Sequence, residues 1–309
     1  MTTFVVTTSA DVANGDVSPN DLSLREAMEL ANTRPGADRI TFADGVDYVA
    51  LADKLPTISD DLRLIGGGDV VLDANADGDF DPRTTAEDGS RRGLDIRGDK
   101  IAVTIDGLTI TGGSTSFGGG GIRSERDVDL VVVDSSVVGN NDDRGSGGGI
   151  KSLGDLKLLR TSVLDNVGSA GGGIAVFGDA LVADSTIRGN QSGYGYEVLG
   201  GGGIYAAGGL TLRHSRVIGN EDSDLYGGLA NCSACLCSSR SARAARRFPQ
   251  LPRLFAPGRA ARAHSTQYPK VSHAAPPADF RGLSRWRSHC SPCLHSATRW
   301  RPCRKSTPT

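Results

Sequence analysis

Apolar residues in the middle of the chain alternate with polar ones and recur at the same places in four successive segments. Each segment opens with Gly-Gly-Gly-Ile, starting at Gly119, Gly147, Gly171 and Gly201. Alternation at period two indicates strands that bury one face, whereas a helix needs apolar spacings of three and four over ten or more residues. The repeats therefore predict strands. Four apolar columns run through them: Ile122, Ile150, Ile174 and Ile204; Leu130, Leu156, Ala180 and Leu210; Val132, Leu158, Val182 and Leu212; Val137, Val163, Ile187 and Val217.

Each segment also ends in an asparagine, at Asn140, Asn166, Asn190 and Asn220. Strands that recur at such intervals without helices between them stack most simply as a right-handed parallel β-helix, an all-β solenoid whose coils lie about 4.8 Å apart. Stacking would align the asparagines in an amide ladder and place the glycine triplets at sharp corners. A flexible linker is the alternative explanation for the glycines, but a linker would not keep isoleucine and asparagine in register. We expect about six to seven coils between residues 46 and 228.

Residues 1–45 predict a strand–helix–strand cap over the apolar end that a solenoid otherwise exposes. Ser23-Leu24-Arg25-Glu26 is a capping box, and Asn32 with Pro35-Gly36 ends the helix. Strands are expected at 4–7 and 40–42. The buried face of the helix is predicted to consist of Leu24, Ala27, Met28 and Ala31.

These N-terminal residues resemble a known family. The run Leu22-Ser23-Leu24-Arg25-Glu26-Ala27, with Gly36-Ala37-Asp38-Arg39-Ile40 downstream, is similar to the CSLREA domain that opens many bacterial extracellular β-helix proteins. Leu22 stands where that family usually has cysteine. The glycine-led coils resemble the pectin-lyase-like β-helix repeats that commonly follow the domain. The resemblance implies a secreted or cell-surface protein, in a family where many members have no established activity.

Composition divides the chain after Gly228. Residues 1–228 hold 19 basic and 35 acidic residues, a net charge of −16, and residues 229–309 hold 15 basic and 1 acidic, a net charge of +14. All six cysteines lie in the second part, so neither disulfides nor thiolate metal sites hold the first part together. The change interrupts a fifth repeat, which is typical of out-of-frame translation and predicts a disordered basic tail over 229–309.

The tail offers two weaker functional interpretations. Its Cys232/Cys235 and Cys290/Cys293 pairs are too far apart for a zinc ribbon, which needs about 15–20 residues between pairs. A basic segment with Trp286 and Trp300 is also compatible with an anionic partner, but we expect no nucleic-acid partner for an unfinished β-helix.

A run of acidic residues after the predicted strand at 70–72 resembles half of a calcium loop. Oxygen ligands at alternate positions with Gly78 at the sixth are typical of the first half of an EF-hand, but Thr84 stands where a bidentate glutamate belongs. A polar turn rich in aspartate and glycine would look the same, so both interpretations stay open. The candidate calcium ligands are Asp73, Asn75, Asp77, Asp79 and Asp81.

One outward column of the repeats carries the candidate catalytic residues. Asp134, Arg160, Asp184 and His214 occupy equivalent places in successive coils. Charges of alternating sign at about 4.8 Å predict a surface ion-pair ladder. The same residue types, Arg160, Asp184 and His214, could also serve proton transfer in a polysaccharide lyase or hydrolase.

Two functions follow as hypotheses. The first is a non-catalytic adhesin or polysaccharide-binding stalk whose partner is a polysaccharide or cell-surface glycan. The second is a carbohydrate-active lyase or hydrolase. The sequence contains no run of 18 apolar residues, so it predicts no transmembrane helix. Its N-terminus lacks the pattern of a classical signal peptide. The family resemblance implies a location at the cell surface or outside the cell, with export that needs no such leader. We expect a monomer, with calcium as the one candidate cofactor.

Overall fold

The computed structural model describes residues 1–75, 91–142, 144–192 and 200–237. Within these ranges the chain forms a parallel β-solenoid of about six turns with one short helix, as the repeat predicts. All pairings between its strands are parallel. Each complete coil contributes one rung to each of four strand stacks, which we number in the order the chain visits them.

Stacks 1 and 2 share the long strands β4 and β6, which bend from one stack into the other. Stack 1 consists of β1 (Thr3–Val6), β2 (Asp38–Phe42), the first parts of β4 (Leu62–Asp73) and β6 (Ile101–Thr111), β9 (Val128–Val133), β13 (Leu156–Leu159), β17 (Ala180–Ala183), the end of β20 (Ile204–Arg213) and the end of β22 (Leu225–Ser233). Stack 2 consists of β3 (Tyr48–Ala50), the second parts of β4 and β6, β10 (Ser136–Val138), β14 (Ser162–Leu164), β18 (Thr186–Arg188), β21 (Arg216–Ile218) and β23 (Leu236–Cys237).

Stacks 3 and 4 are built from shorter strands on either side of the glycine-rich corner. Stack 3 consists of β7 (Ser114–Thr115), β11 (Asn141–Asp142), β15 (Val167–Gly168) and β19 (Gln191–Ser192). Stack 4 consists of β5 (Leu94–Ile96), β8 (Ile122–Ser124), β12 (Ile150–Ser152), β16 (Ile174–Val176) and the beginnings of β20 and β22.

The core is a set of aliphatic columns, and all four predicted columns are confirmed. Ile122, Ile150, Ile174 and Ile204 pair in register along stack 4, and each is fully buried. Burial of apolar area contributes about 25 cal/mol per Å², so repeating the same branched side chain in each coil gives each rung a similar stabilisation.

The asparagine ladder is also confirmed. The Asn140 side-chain amide donates to Oδ1 of Asn166 at 3.0 Å, Asn166 donates to Asn190 at 3.0 Å, and Asn190 donates to Asn220 at 2.9 Å. Each Oδ1 also accepts the backbone N–H of the asparagine one coil before it. Asp224 ends the described ladder by accepting from Asn220 at 2.9 Å.

A second ladder, of hydroxyl groups, lies at the buried corner between stacks 1 and 2. Oγ1 of Thr161 accepts the backbone N–H of Ser135 at 3.4 Å, and Oγ of Ser185 accepts that of Thr161 at 3.1 Å. Ser215 continues the series by accepting from Ser185 at 3.2 Å. These four side chains satisfy backbone donors that the corner removes from the strand pairing.

The N-terminal segment forms the predicted strand, helix and strand. Helix α1 (Leu24–Asn32) begins at Ser23 with the predicted capping box in both directions. Burial alone would raise the pKa of Glu26, but hydrogen bonds from Ser23, Gly15 and Asn14 outweigh it and hold the pKa below its ordinary value. β1 pairs with β2, and β2 pairs with β4, so the cap joins stack 1 directly.

The last described coil extends past the boundary that composition places at Gly228. β22 and β23 keep pairing with β20 and β21 as far as Cys237. Cys232 pairs with Leu212 and Cys237 with Val217. Cys237 is partly buried against the core, whereas Cys232 is exposed. Cys232 and Cys235 form a disulfide. The remainder of the predicted tail, residues 238–309, lies outside the described residues.

Candidate functional site

The predicted charged column lies on the outer corner between stacks 1 and 2. Arg160 binds Asp134 through two hydrogen bonds of 2.6 and 2.7 Å, and Nδ1 of His214 lies 3.5 Å from Asp184. The hydrogen bond from Arg160 lowers the pKa of Asp134. The side chains are 48–65 % exposed, so this geometry is that of two separate surface pairs, Asp134–Arg160 and Asp184–His214. A catalytic role for Arg160, Asp184 and His214 stays a prediction.

Backbone geometry accounts for the regular spacing of that column. All four residues have left-handed conformations, with φ between 46° and 52°. Gly107 takes this conformation at the equivalent corner one coil earlier, with φ of 64°. The corner therefore imposes a left-handed residue in each coil, which glycine accepts freely and aspartate or histidine accepts more readily than most residues.

The predicted calcium loop is only partly described. Asp73 ends β4, where its carboxylate accepts from the Tyr48 hydroxyl at 2.8 Å and from the backbone N–H of Asn75 at 2.9 Å. Asp77, Asp79 and Asp81 lie outside the described residues. Over the described residues, no group of three or more His, Cys, Asp or Glu side chains is placed to hold a metal ion. Calcium binding by this loop therefore stays a prediction.

Connection length varies most at the glycine-rich corner that leads into stack 4. The segments that join β7 to β8, β11 to β12, β15 to β16 and β19 to β20 have six, seven, five and eleven residues. Insertions in a solenoid commonly collect on the side that binds a partner. The outer surface of stack 4, which borders this corner, is therefore the candidate binding surface.

The outward column of stack 4 begins at buried Asp95 and continues through two cations and an alanine to aromatic rings. Position by position the register runs Arg123, Lys151, Ala175, Tyr205 and Tyr226. We call these five residues, together with Phe177, the aromatic–basic face. Two cations lie at one end of this face and the aromatic rings at the other, on coils that rise about 4.8 Å each.

The aromatic rings form a continuous series across three coils. Phe177 and Tyr205 have ring centroids 5.8 Å apart in a tilted arrangement, and Tyr205 stacks on Tyr226 at 5.7 Å with an interplanar angle of 11°. Phe177 remains 41 % exposed and Tyr226 36 % exposed. Aromatic side chains are large apolar surfaces, so a row of them left partly in water is a feature typical of binding sites.

The basic end is supported from beneath by a buried ion pair. Arg92 is 3 % exposed and donates to the carbonyl oxygens of Gly119 at 2.8 Å and Gly118 at 3.0 Å. Its guanidinium also lies 3.3 Å from the Asp95 carboxylate. Burial would raise the pKa of Asp95, but Arg97 and Arg92 outweigh burial and lower it. Arg92 and Asp95 therefore form a fixed ion pair behind the face.

Lys151 is the partly buried cation of the face. Burial lowers the pKa of its ammonium; Asp142 raises it, whereas the guanidiniums of Arg123 and Arg92 lower it further. Nζ donates to the carbonyl oxygen of Phe117 at 3.3 Å. A Cβ on Gly118 would overlap the lysine side chain, with Nζ only 2.5 Å away, so glycine at this corner lets the ammonium lie against it.

The fold and this face define a class: a parallel β-solenoid with one outer face of aromatic and basic side chains. A scan of protein-family models and a search of curated proteins both find no match to the chain. The likeness to the CSLREA domain therefore rests on the residues quoted above. Among the described residues, no helix has the length and apolar character needed to span a membrane.

The sequence predictions missed the aromatic–basic face, although a signal for it was present. Its residues are those that directly follow the repeated isoleucines, as in Ile122-Arg123, Ile150-Lys151 and Ile204-Tyr205. The predictions considered outward positions only where charges alternate, and this column changes from cations to aromatic rings.

Proposed function

We propose that this protein is a non-catalytic polysaccharide-binding β-helix of the cell surface or extracellular space, and that glycan lies along the aromatic–basic face. The observation that carries the proposal is the row of partly exposed rings formed by Phe177, Tyr205 and Tyr226. The C–H face of a sugar ring packs against apolar aromatic surface, and the parts of the stacked rings that stay exposed repeat such surface at a constant rise. A linear chain of sugars suits such a row better than a small compact ligand does.

Replacing Tyr205 with alanine is expected to weaken polysaccharide binding about tenfold, because the substitution removes the central ring. Binding of the full chain to a panel of immobilised plant and bacterial polysaccharides, followed by calorimetry on the best ligand, measures this loss. Tyr48→Ala is the matched control: Tyr48 is 43 % exposed but belongs to stack 2, so its loss should leave affinity unchanged.

Ring stacking within a sheet also stabilises strands, so a purely structural role must be distinguished from binding. Thermal unfolding of each variant makes this distinction. A loss of about 1 kcal/mol in the free energy of unfolding lowers the midpoint by about 2–4 °C in a domain of this size. Equal affinities for Tyr205→Ala and the unmodified chain on every polysaccharide that binds would contradict the proposal.

The alternative, a lyase or hydrolase, is tested in the same samples. Release of unsaturated or reducing sugar ends would favour it over the non-catalytic proposal. If such activity survives in both Arg160→Ala and His214→Ala, the charged column is not the catalytic group. Calcium binding by the Asp73 loop is compatible with either function.

A further inference from the structure

We infer that Arg123 and Lys151 form a subsite for an oxoanion carried by the glycan, either a carboxylate or a sulfate ester. The inference rests on the proposed function and specifies the ligand class for the same face. Arg123 and Lys151 are paired residues of adjacent coils, so their side chains start about 4.8 Å apart and point to the same side. An oxoanion with several acceptor oxygens can bridge two cations at this spacing.

Both cations have donors to spare. An ammonium offers three hydrogen-bond donors, and within the described part of the chain Nζ of Lys151 contacts one acceptor, the carbonyl oxygen of Phe117. The Nε–H of Arg123 is buried and has no hydrogen-bond partner among the described residues. The Arg123 side chain as a whole is 20 % exposed. A buried donor without an acceptor is costly, and a ligand oxygen would satisfy it.

Nearby carboxylates are already engaged. Glu125 binds Arg123 through one oxygen, and Asp95 is held by Arg92, Arg97 and Lys54. Asp142 is buried and accepts from the backbone N–H of Gly145 at 2.8 Å. Among the described residues no ion pair joins Lys151 to a carboxylate, although the charge of Asp142 raises the pKa of the lysine. Buried Arg92 lies behind it and is paired with Asp95.

The subsite is aligned with the aromatic rings. Tyr205 follows Lys151 by two coils in the register of stack 4, a rise of about 10 Å. Ala175 lies between them in the register and has only a methyl side chain. It is fully buried, so neighbouring atoms cover this rung. One glycan could therefore pack a sugar on the rings and direct a charged substituent to Lys151 and Arg123.

Calorimetry on the full chain with matched oligosaccharides tests the ligand class. Oligogalacturonate provides carboxylates, its carboxyl-reduced form is the neutral counterpart, and a sulfated galactan oligosaccharide provides sulfate esters. We expect a charged oligosaccharide to bind at least tenfold more tightly than the neutral one, with the preference lost in Lys151→Gln and in Arg123→Gln. The two charged ligands show which oxoanion is preferred. Lys157→Gln is the control, because Lys157 is exposed on stack 1 and its loss changes net charge equally.

A second measurement separates this subsite from the proposed function. Acylation of Lys151 by an amine-reactive reagent is followed by peptide mass spectrometry, with inorganic sulfate or chloride at equal ionic strength and Lys157 as internal reference. The subsite predicts that sulfate slows the labelling of Lys151 and that Arg123→Gln abolishes this protection. If protection is seen but no glycan binds, the subsite stands and only the glycan-binding function fails. Unchanged labelling, together with equal affinity for charged and neutral oligosaccharides, overturns the inference and leaves the aromatic row as the site.

Discussion

Replacing Asn166 with alanine is expected to reduce the free energy of unfolding by about 3–5 kcal/mol. Asn166 is fully buried in the middle of the amide ladder. Its Oδ1 accepts the backbone N–H of Asn140 at 2.9 Å, and its Nδ2 donates to the carbonyl oxygen of Val137 at 2.9 Å. Alanine leaves both groups buried without partners, and each such group costs about 1–3 kcal/mol in addition to the lost ladder contact with Asn190.

Urea unfolding of the full chain followed by circular dichroism measures the effect. Gln191→Ala is the matched control, because Gln191 is the next amide along the chain from Asn190 but makes an exposed hydrogen bond to Glu221. We expect the control to change stability by less than about 0.5 kcal/mol. Equal small effects for the two variants would mean that the amide ladder does not hold the coils together.

Gly148→Ala is expected to destabilise the chain by more than about 3 kcal/mol or to prevent folding. A Cβ at residue 148 would overlap the backbone carbonyl of Val167 and lie 2.7 Å from the carbonyl oxygen of Gly172 in the next coil. Both obstacles are backbone atoms, one in β15 and one in the connection that follows it, and cannot rotate away as a side chain could. Relief requires the corner to open, which separates stacks 3 and 4.

Gly139→Ala is the control for this substitution. Gly139 has a left-handed φ of 65°, but the nearest atom to a Cβ there is Thr111 Oγ1 at 3.6 Å. Alanine at residue 139 thus meets only backbone strain, about 1–2 kcal/mol. Soluble yield and thermal midpoint rank the two variants, and an effect of Gly148→Ala no larger than that of Gly139→Ala would contradict the tight corner.

The core and the amide ladder were predictable from sequence because a solenoid repeats the environment of each position. Ile122 and its counterparts, and Asn140 and its counterparts, recur with the same chemistry in each coil, so alignment of the repeats reveals which residues meet. The capping box at Ser23 was predictable for a different reason, since its contacts are local in sequence.

Features that depend on different residues meeting in space were not predicted. The hydroxyl ladder combines Ser135 with Thr161, and the aromatic–basic face changes from Arg123 to Tyr205 within one column, so neither appears as a repeated residue. The end of the solenoid was placed at Gly228 by composition, but strand pairing continues to Cys237, which packs partly buried against the core as a small apolar residue does. Within the described residues, strand pairing past Gly228 therefore follows register rather than composition.

The central claim is that the repeats are successive coils stacked in register. Thr104 and Thr211 occupy the same outward column of stack 1, four coil steps apart through Val131, Lys157 and Leu181. Spin labels attached through unnatural amino acids at 104 and 211, which avoid the six cysteines, allow pulsed electron paramagnetic resonance to measure their separation. Stacked coils predict one narrow distance near 19 Å, four times about 4.8 Å. A broad distribution centred at much longer distances would contradict the stacked solenoid.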